Sequence, residues 1–385
     1  MRVRFAAIPV LVLLAGATGV HAQSLDLLIQ GGRVIDPRNG IDAVMDVGIA
    51  DGVIAEVAAG IDPARADTVV DATGLVVAPG LVDLHAHVFW GTTPDQYLSD
   101  SYSALPPDGF TFRAGVTTVV DLGDTGWRDF IQFKNQVIDR SQTRVLTFLN
   151  IVGRGMKGGP IEQDVSDMDP KLTAQRAAQF SDIIVGVKVA HYIGNEWEPV
   201  DRAVEAGNLA GLPVAVDFGR QDPPLPLQEL FLEHLRPGDI FTHAYSQVNG
   251  REAIVDDDGH LKPYLADARA RGIIFDVGHG GGSFRFRQAV PAMQQAFPPD
   301  TISTDLHTGS MNGGMKDMLN VGSKFLNMGM SLSDVVAKST WAPAQAIHRD
   351  DIGHLSVGAE ADVAVIAVRE GEFGFLDVGG VTMQG

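Results

Sequence analysis

The chain has no cysteine among its 385 residues. It can form no disulfide, and any metal it holds must be met by nitrogen and oxygen ligands. Basic residues are scarce: 29 Lys and Arg stand against 48 Asp and Glu, a formal charge of −19. That imbalance argues against a nucleic-acid partner and against docking on anionic membranes, and an anionic substrate would need a local cation. Beyond the N-terminal segment no run is long and apolar enough to span a bilayer. No Gly-x-Gly-x-x-Gly follows the His-x-His strand described below, and Gly153-Arg154-Gly155-Met156-Lys157-Gly158-Gly159 lacks the Gly-Lys-Ser/Thr ending of a phosphate loop.

What is present begins with a secretory pattern. Arg2 and Arg4 precede the mostly apolar Phe5 to Val20, and Val20-His21-Ala22 ends in a small residue. This is the layout of a signal peptide over 1–22, cleaved after Ala22, with Pro9 and Gly16 interrupting what would otherwise be an anchor. The expected location is periplasmic or secreted, with no membrane attachment after cleavage. From Leu25 to Ala78 short β segments alternate with Gly, Asn-Gly and Asp-Gly turns, predicting a small β domain whose N-terminal part is 23–78.

Strand-like runs then fall at 81–88, 115–121, 143–152, 183–190, 212–218, 239–243, 272–277 and 301–305, with helical segments such as Trp127 to Arg140, Pro199 to Ala210 and Met315 to Asn327 between them. A spacing of roughly thirty residues predicts an α/β fold, a (β/α)8 TIM-type barrel over 79–349. A doubly wound open sheet is the alternative. Residues 350–385 are expected to return to the small β domain, a β-sandwich built from both ends of the chain.

A barrel places its active site at the C-terminal ends of its strands, and polar residues collect there. His85 and His87, spaced i and i+2, share a strand face and can hold one metal ion from two directions, with Asp83 one step back to orient an imidazole. Lys188 sits inside an apolar run. Asp217, His243 and Asp305 end strands five, six and eight, and His279 and His307 lie just past strands seven and eight. Singly, each has an ordinary reading as a helix cap, a structural histidine or a snorkelling lysine. Together they predict a metal site.

Four stretches resemble the amidohydrolase superfamily, nearest to its deacetylase and dihydroorotase-related metallohydrolases: Ala78-Pro79-Gly80-Leu81-Val82-Asp83-Leu84-His85-Ala86-His87, Val185-Gly186-Val187-Lys188, Asp276-Val277-Gly278-His279-Gly280-Gly281-Gly282-Ser283-Phe284 and Ser303-Thr304-Asp305-Leu306-His307. Glu360-Ala361-Asp362 resembles the point where such chains rejoin the β domain, and the tail beyond it is short for that return, leaving a truncated reading frame open. The resemblance implies two divalent metal ions, zinc or else manganese, bridged by Lys188 carboxylated to N6-carboxylysine. His85, His87 and Asp305 would hold one ion, and His243 with Asp217 the other. Asp305 would also carry the proton from an attacking metal-activated hydroxide to the leaving group. Asp217 departs from the pattern, because the family usually places a histidine there; His279 either supplies that imidazole or contacts the substrate carbonyl.

The implied enzyme hydrolyses an amide, or an ester, of a small acylated compound, in the manner of a deacetylase. Cyclic amide opening, as in dihydroorotase or hydantoinase chemistry, is the alternative, and a non-catalytic secreted binding protein on the same scaffold is a second. For the substrate, Arg154 or Lys157 would clamp a carboxylate, Gly280 to Ser283 would let backbone approach closely, and His191, Tyr192 and Trp197 would wall the pocket. The expected partner is that small molecule, with self-association into a homo-oligomer as a further expectation.

Overall fold

The computed structural model describes residues 24–91, 103–217 and 219–385. The expected signal peptide, 1–22, lies outside the described residues. Strands β1 (Leu25–Asp36), β2 (Ile41–Ala50), β3 (Val53–Ala58), β4 (Ala66–Asp71) and β5 (Val76–Pro79) make most of a small mixed sheet. The turn Pro37-Arg38-Asn39-Gly40 joins β1 to β2, and Gly40 adopts the positive φ (65°) that a tight hairpin favours. β1 changes register against β2 at Gly31–Gly32, so that its first half pairs with β4 and its second with β5.

β5 leads directly into a curled parallel sheet of seven strands: β6 (Leu81–Ala86), β7 (Val116–Gly126), β8 (Arg144–Asn150), β9 (Ile184–Ala190), β10 (Val214–Asp217), β11 (Ile240–Phe241) and β12 (Ile274–Phe275). The eighth stretch closes the ring by bridges rather than by a ladder. Thr301 bridges Asp276 after β12 and Leu306 bridges Ala86 of β6, with Val277 N donating to Thr301 O at 3.1 Å and His87 N to Leu306 O at 2.9 Å. The last strands are shorter than their apolar runs suggest because the backbone leaves the extended region where the polar residues begin: φ is 57° at His243, 44° at Gly278 and 51° at Asp305.

Val82, Leu84, Leu146, Phe148, Val185, Ala215 and Ile240 form a buried cluster closed off by Ala344, Ala346 and Ile347. Each of the valine, leucine, isoleucine and phenylalanine side chains contributes about 1.5–3 kcal/mol when fully buried. The larger cluster packs strand residues such as Val187, Val189, Val214 and Phe241 against Phe133, Ala203, Phe231 and Ala268 of the helical layer.

β13 (Val363–Ile366) returns to pair antiparallel with β5. Arg144 of β8 pins this return by pairing with Glu360 and Asp362, and Gly80 N donates to Asp362 O at 2.8 Å. Glu360 bridges Val53 of β3 and Leu355 packs in the core of the small domain, as the expected return requires, but the last segment does not join that sheet. β14 (Gly374–Leu376) and β15 (Thr382–Gln384) form a separate hairpin held to the barrel side. Asp377 accepts from Phe286 N at 3.1 Å, Phe284 O from Val378 N at 3.1 Å and Gln384 O from the Asn327 amide at 3.1 Å.

Candidate metal centre

The C-terminal strand ends bring six of the expected residues into one buried constellation. His85, His87 and Asp305 form one set of potential metal ligands, and His85, Asp217 and His243 another, the ligand atoms within each set lying within 4.8 Å of one another. Asp305 Oδ1 is 3.0 Å from His87 Nε2 and 3.5 Å from His85 Nε2. Asp217 Oδ1 is 3.3 Å from His243 Nε2, and its Oδ2 is 3.3 Å from Lys188 Nζ. Four non-glycine residues lining the cavity hold left-handed backbone: His191 (φ 55°), Arg220 (φ 75°), His243 and Asp305. Such strain persists only where surrounding contacts fix it, and it turns these side chains off the strand direction.

Each imidazole is aimed by a second partner. Thr242 donates its hydroxyl to Asp276 Oδ2 at 2.8 Å and so accepts from His85 Nδ1 at 2.8 Å, leaving His85 Nε2 as the lone-pair side. His87 Nδ1 lies 2.7 Å from Asp124 Oδ1, and His243 Nδ1 donates to Gly278 O at 2.5 Å. Metal-ligating histidines are held in this way. Burial works against the His87 imidazolium, but Asp124 and Asp305 on either side raise it to about 10. Burial, Lys188 and neighbouring imidazoles depress His85 well below its usual value. Asp217 and Asp305 overcome their own burial through adjacent histidines (with Lys188 also beside Asp217) and stay ionised well below the usual carboxylate range.

Among the buried atoms of this constellation, His85 Nε2 and Lys188 Nζ have no hydrogen-bond partner. Buried polar groups are seldom left so, and both face the shared carboxylates. Gly123 gives Lys188 its room: a Cβ there would meet the lysine Cγ at 2.6 Å. An unmet imidazole lone pair and a lysine without a hydrogen bond, beside a mixed imidazole and carboxylate set, fit divalent metal ions.

The centre opens on a cavity of about 750 Å³ lined by His87, His191, Asp217, His243, Asp305 and His307, with Ser283, Gly158, Arg220 and Arg251 among the rest of the wall. His191 Nδ1 sits 2.9 Å from Glu162 Oε2, and its Nε2 is 3.7 Å from Asp217 Oδ2. Three expectations are corrected. Asp83 does not orient an imidazole; it accepts from Thr304 N at 2.9 Å and from the Thr304 hydroxyl, tying β6 to the closing stretch, and Asp124 orients the ring instead. His279 neither completes the ligand set nor lines the cavity. It is fully buried, stacked on Phe284, with Nδ1 2.9 Å from Gly280 O and Nε2 2.5 Å from Lys324 Nζ. Arg154 is exposed and off the cavity wall, while its loop reaches the wall through Gly158 to Pro160; Lys157 lies instead over the Phe89 ring. Sequence reasoning passed over Asp124, Thr242 and Arg251. The two carboxylates of Asp121-x-x-Asp124 at the end of β7 were the one available signal.

The amidohydrolase family profile matches residues 282–377. A deacetylase of Agrobacterium fabrum is 34% identical over 338 residues, covering 86% of this chain and 80% of that protein. Among solved structures, an adenine deaminase superposes with a TM-score of 0.83 at 26% identity, covering 94% of this chain and 95% of the other. A dihydroorotase gives 0.82 at 31%, covering 93% and 94%. The chain belongs to the amidohydrolase superfamily.

Proposed function

We propose that this chain is a metal-dependent deacetylase, hydrolysing the amide or ester bond of a small acylated compound. The observation that carries the reading is the pair of ligand sets sharing His85, with Lys188 Nζ buried beside them, making no hydrogen bond and 3.3 Å from Asp217 Oδ2. The relatedness to a deacetylase over most of both chains supports the bond class. His85, His87 and Asp305 would hold one divalent ion and His243 with Asp217 a second, zinc suiting the nitrogen and oxygen donors. A protonated lysine has no lone pair; once it loses a proton, addition of carbon dioxide with loss of a second proton would leave an anionic carbamate on Lys188 Nζ whose oxygens could hold metal. When bound, the ions supply the Lewis acidity that activates a water and polarises an acyl carbonyl.

The chain's own groups do the rest. Asp305 stands at the cavity wall, ionised, with Oδ2 3.8 Å from His307 Nε2, where it can take a proton from the attacking water and deliver it to the departing nitrogen or oxygen. Thr242, Asp124 and Gly278 O hold the three imidazoles in their ligating orientation, and the Ser283 loop and His191 bound the acyl compound. The reading includes the signal peptide at 1–22 and hence a periplasmic or secreted enzyme. Likeness to a dihydroorotase along nearly the whole chain favours, as the second reading, opening of a cyclic amide. Screening zinc-loaded protein against acylated amino and hydroxy acids and against cyclic amides tests the proposal. Turnover of the first group, lost in Asp305→Asn, is expected. Turnover of the second alone selects the alternative, and turnover of neither refutes both.

A further inference from the structure

The resemblance to the amidohydrolase superfamily implies an imidazole where Asp217 stands, and the carboxylate adds one negative charge to the centre. We infer that Arg251 is the charge counterpart of Asp217: the buried guanidinium cancels the extra carboxylate, so that Asp217 and Arg251 together do the electrostatic work of one neutral histidine ligand. The inference rests on the two-metal reading above and assigns a role to a residue outside both ligand sets.

Arg251 is built into the site. Its side chain is 5% exposed, and Nη1 lies 3.8 Å from Asp217 Oδ1. Nη2 donates to Thr242 O at 2.6 Å, and the guanidinium lies 4.5 Å from the centre of the Phe241 ring. Thr242 is the residue whose hydroxyl orients His85, and His243 follows it, so the strand end that carries one imidazole and orients another also fixes this cation. A buried charge left alone is costly, and removing one partner of a buried pair strands the other. Among the described residues, Asp217 is the one carboxylate within ion-pair range of Arg251. A guanidinium also keeps its charge when buried.

The other cationic groups near Asp217 are unsuited to this balance. Lys188 loses its positive charge if it becomes the bridging carbamate, and His191 is already engaged with Glu162 at 2.9 Å. Replacing a neutral imidazole by a carboxylate alters the charge by −1, and a neighbouring guanidinium alters it by +1. The field felt by a cation then stays close to that of a histidine site.

The test is zinc affinity and stoichiometry, measured with a competing chelator on the full-length protein, so that no turnover is needed. Wild type, Arg251→Gln, Arg251→Lys, Asp217→His and the double variant Asp217→His/Arg251→Gln are compared, each checked for folding by circular dichroism. Removing a positive charge beside a cation site favours the cation. Arg251→Gln is therefore expected to bind the second zinc several-fold more tightly, and Arg251→Lys to match wild type. Asp217→His alone strands the guanidinium beside the metals and should bind the second zinc about tenfold or more weakly, an effect the double variant reverses to within a few-fold of wild type. The inference is overturned if Arg251→Gln binds zinc equally or more weakly, as a packing role or a substrate-carboxylate clamp would have it. It is also overturned if the double variant is no better than Asp217→His. Should wild type itself bind no zinc, the two-metal reading fails first and takes this inference with it.

Discussion

Thr242→Val separates the orientation of a ligand from its presence. The Thr242 hydroxyl is buried and makes two hydrogen bonds of 2.8 Å, accepting from His85 Nδ1 and donating to Asp276 Oδ2. Valine keeps the shape and removes both. Asp276 retains the Ser303 and Thr301 hydroxyls, each at 2.7 Å, so its loss is about one net hydrogen bond, roughly 1 kcal/mol. The His85 ring has no exposed surface, so its Nδ1–H is left as an unmet buried donor, at about 1–3 kcal/mol. Stability should fall by about 2–4 kcal/mol, read from the urea midpoint at unchanged slope. The ring is then free to tilt or change tautomer, and the ion assigned to His85, His87 and Asp305 should bind about 10–100-fold more weakly. Chelator competition measures this. A variant that loses the stability yet binds both ions as wild type does would show that the hydroxyl is mere packing and that the relay through Asp276 has no part in the centre.

Two further outcomes follow from single positions. Gly123→Ala puts a methyl 2.6 Å from Lys188 Cγ at a residue with φ of 94°; the variant should unfold at least about 1 kcal/mol more easily and lose the lysine-dependent share of bound metal, and normal metal content would contradict the tight fit. Burial, partly offset by Asp377, lowers Lys324 to about 7, whereas an unfolded lysine titrates near about 10.4. Between those values the unfolded chain holds the extra proton, so this group makes stability rise with pH over that window. Lys324→Met should flatten the rise in denaturation midpoints between pH 7 and 10, and an unchanged slope would contradict it.

The barrel and most of the centre were legible because a polar residue at the end of an apolar strand is costly to bury unless something there binds it. Lys188, Asp217, His243 and Asp305 each stand out in that way, and the structure brings them beside His85 and His87. The same logic misjudged His279, since a histidine past a strand end looks alike whether it turns to the cavity or under the Gly280 loop to Lys324. Arg154 and Arg251 show the limit from the other side. Both are arginines in loops; one is solvated and the other 5% exposed, and only the path of the backbone tells them apart. The hairpin of β14 and β15 was equally hidden, its short strands docking on side chains far away in sequence.

The central claim is a two-metal centre bridged through Lys188. Metal content per chain, measured on protein expressed with bicarbonate alongside Lys188→Ala, tests it most directly. About two equivalents in wild type, falling in the variant, is the predicted result. Two equivalents in both would remove Lys188 from the bridge, and none in either would contradict the centre itself.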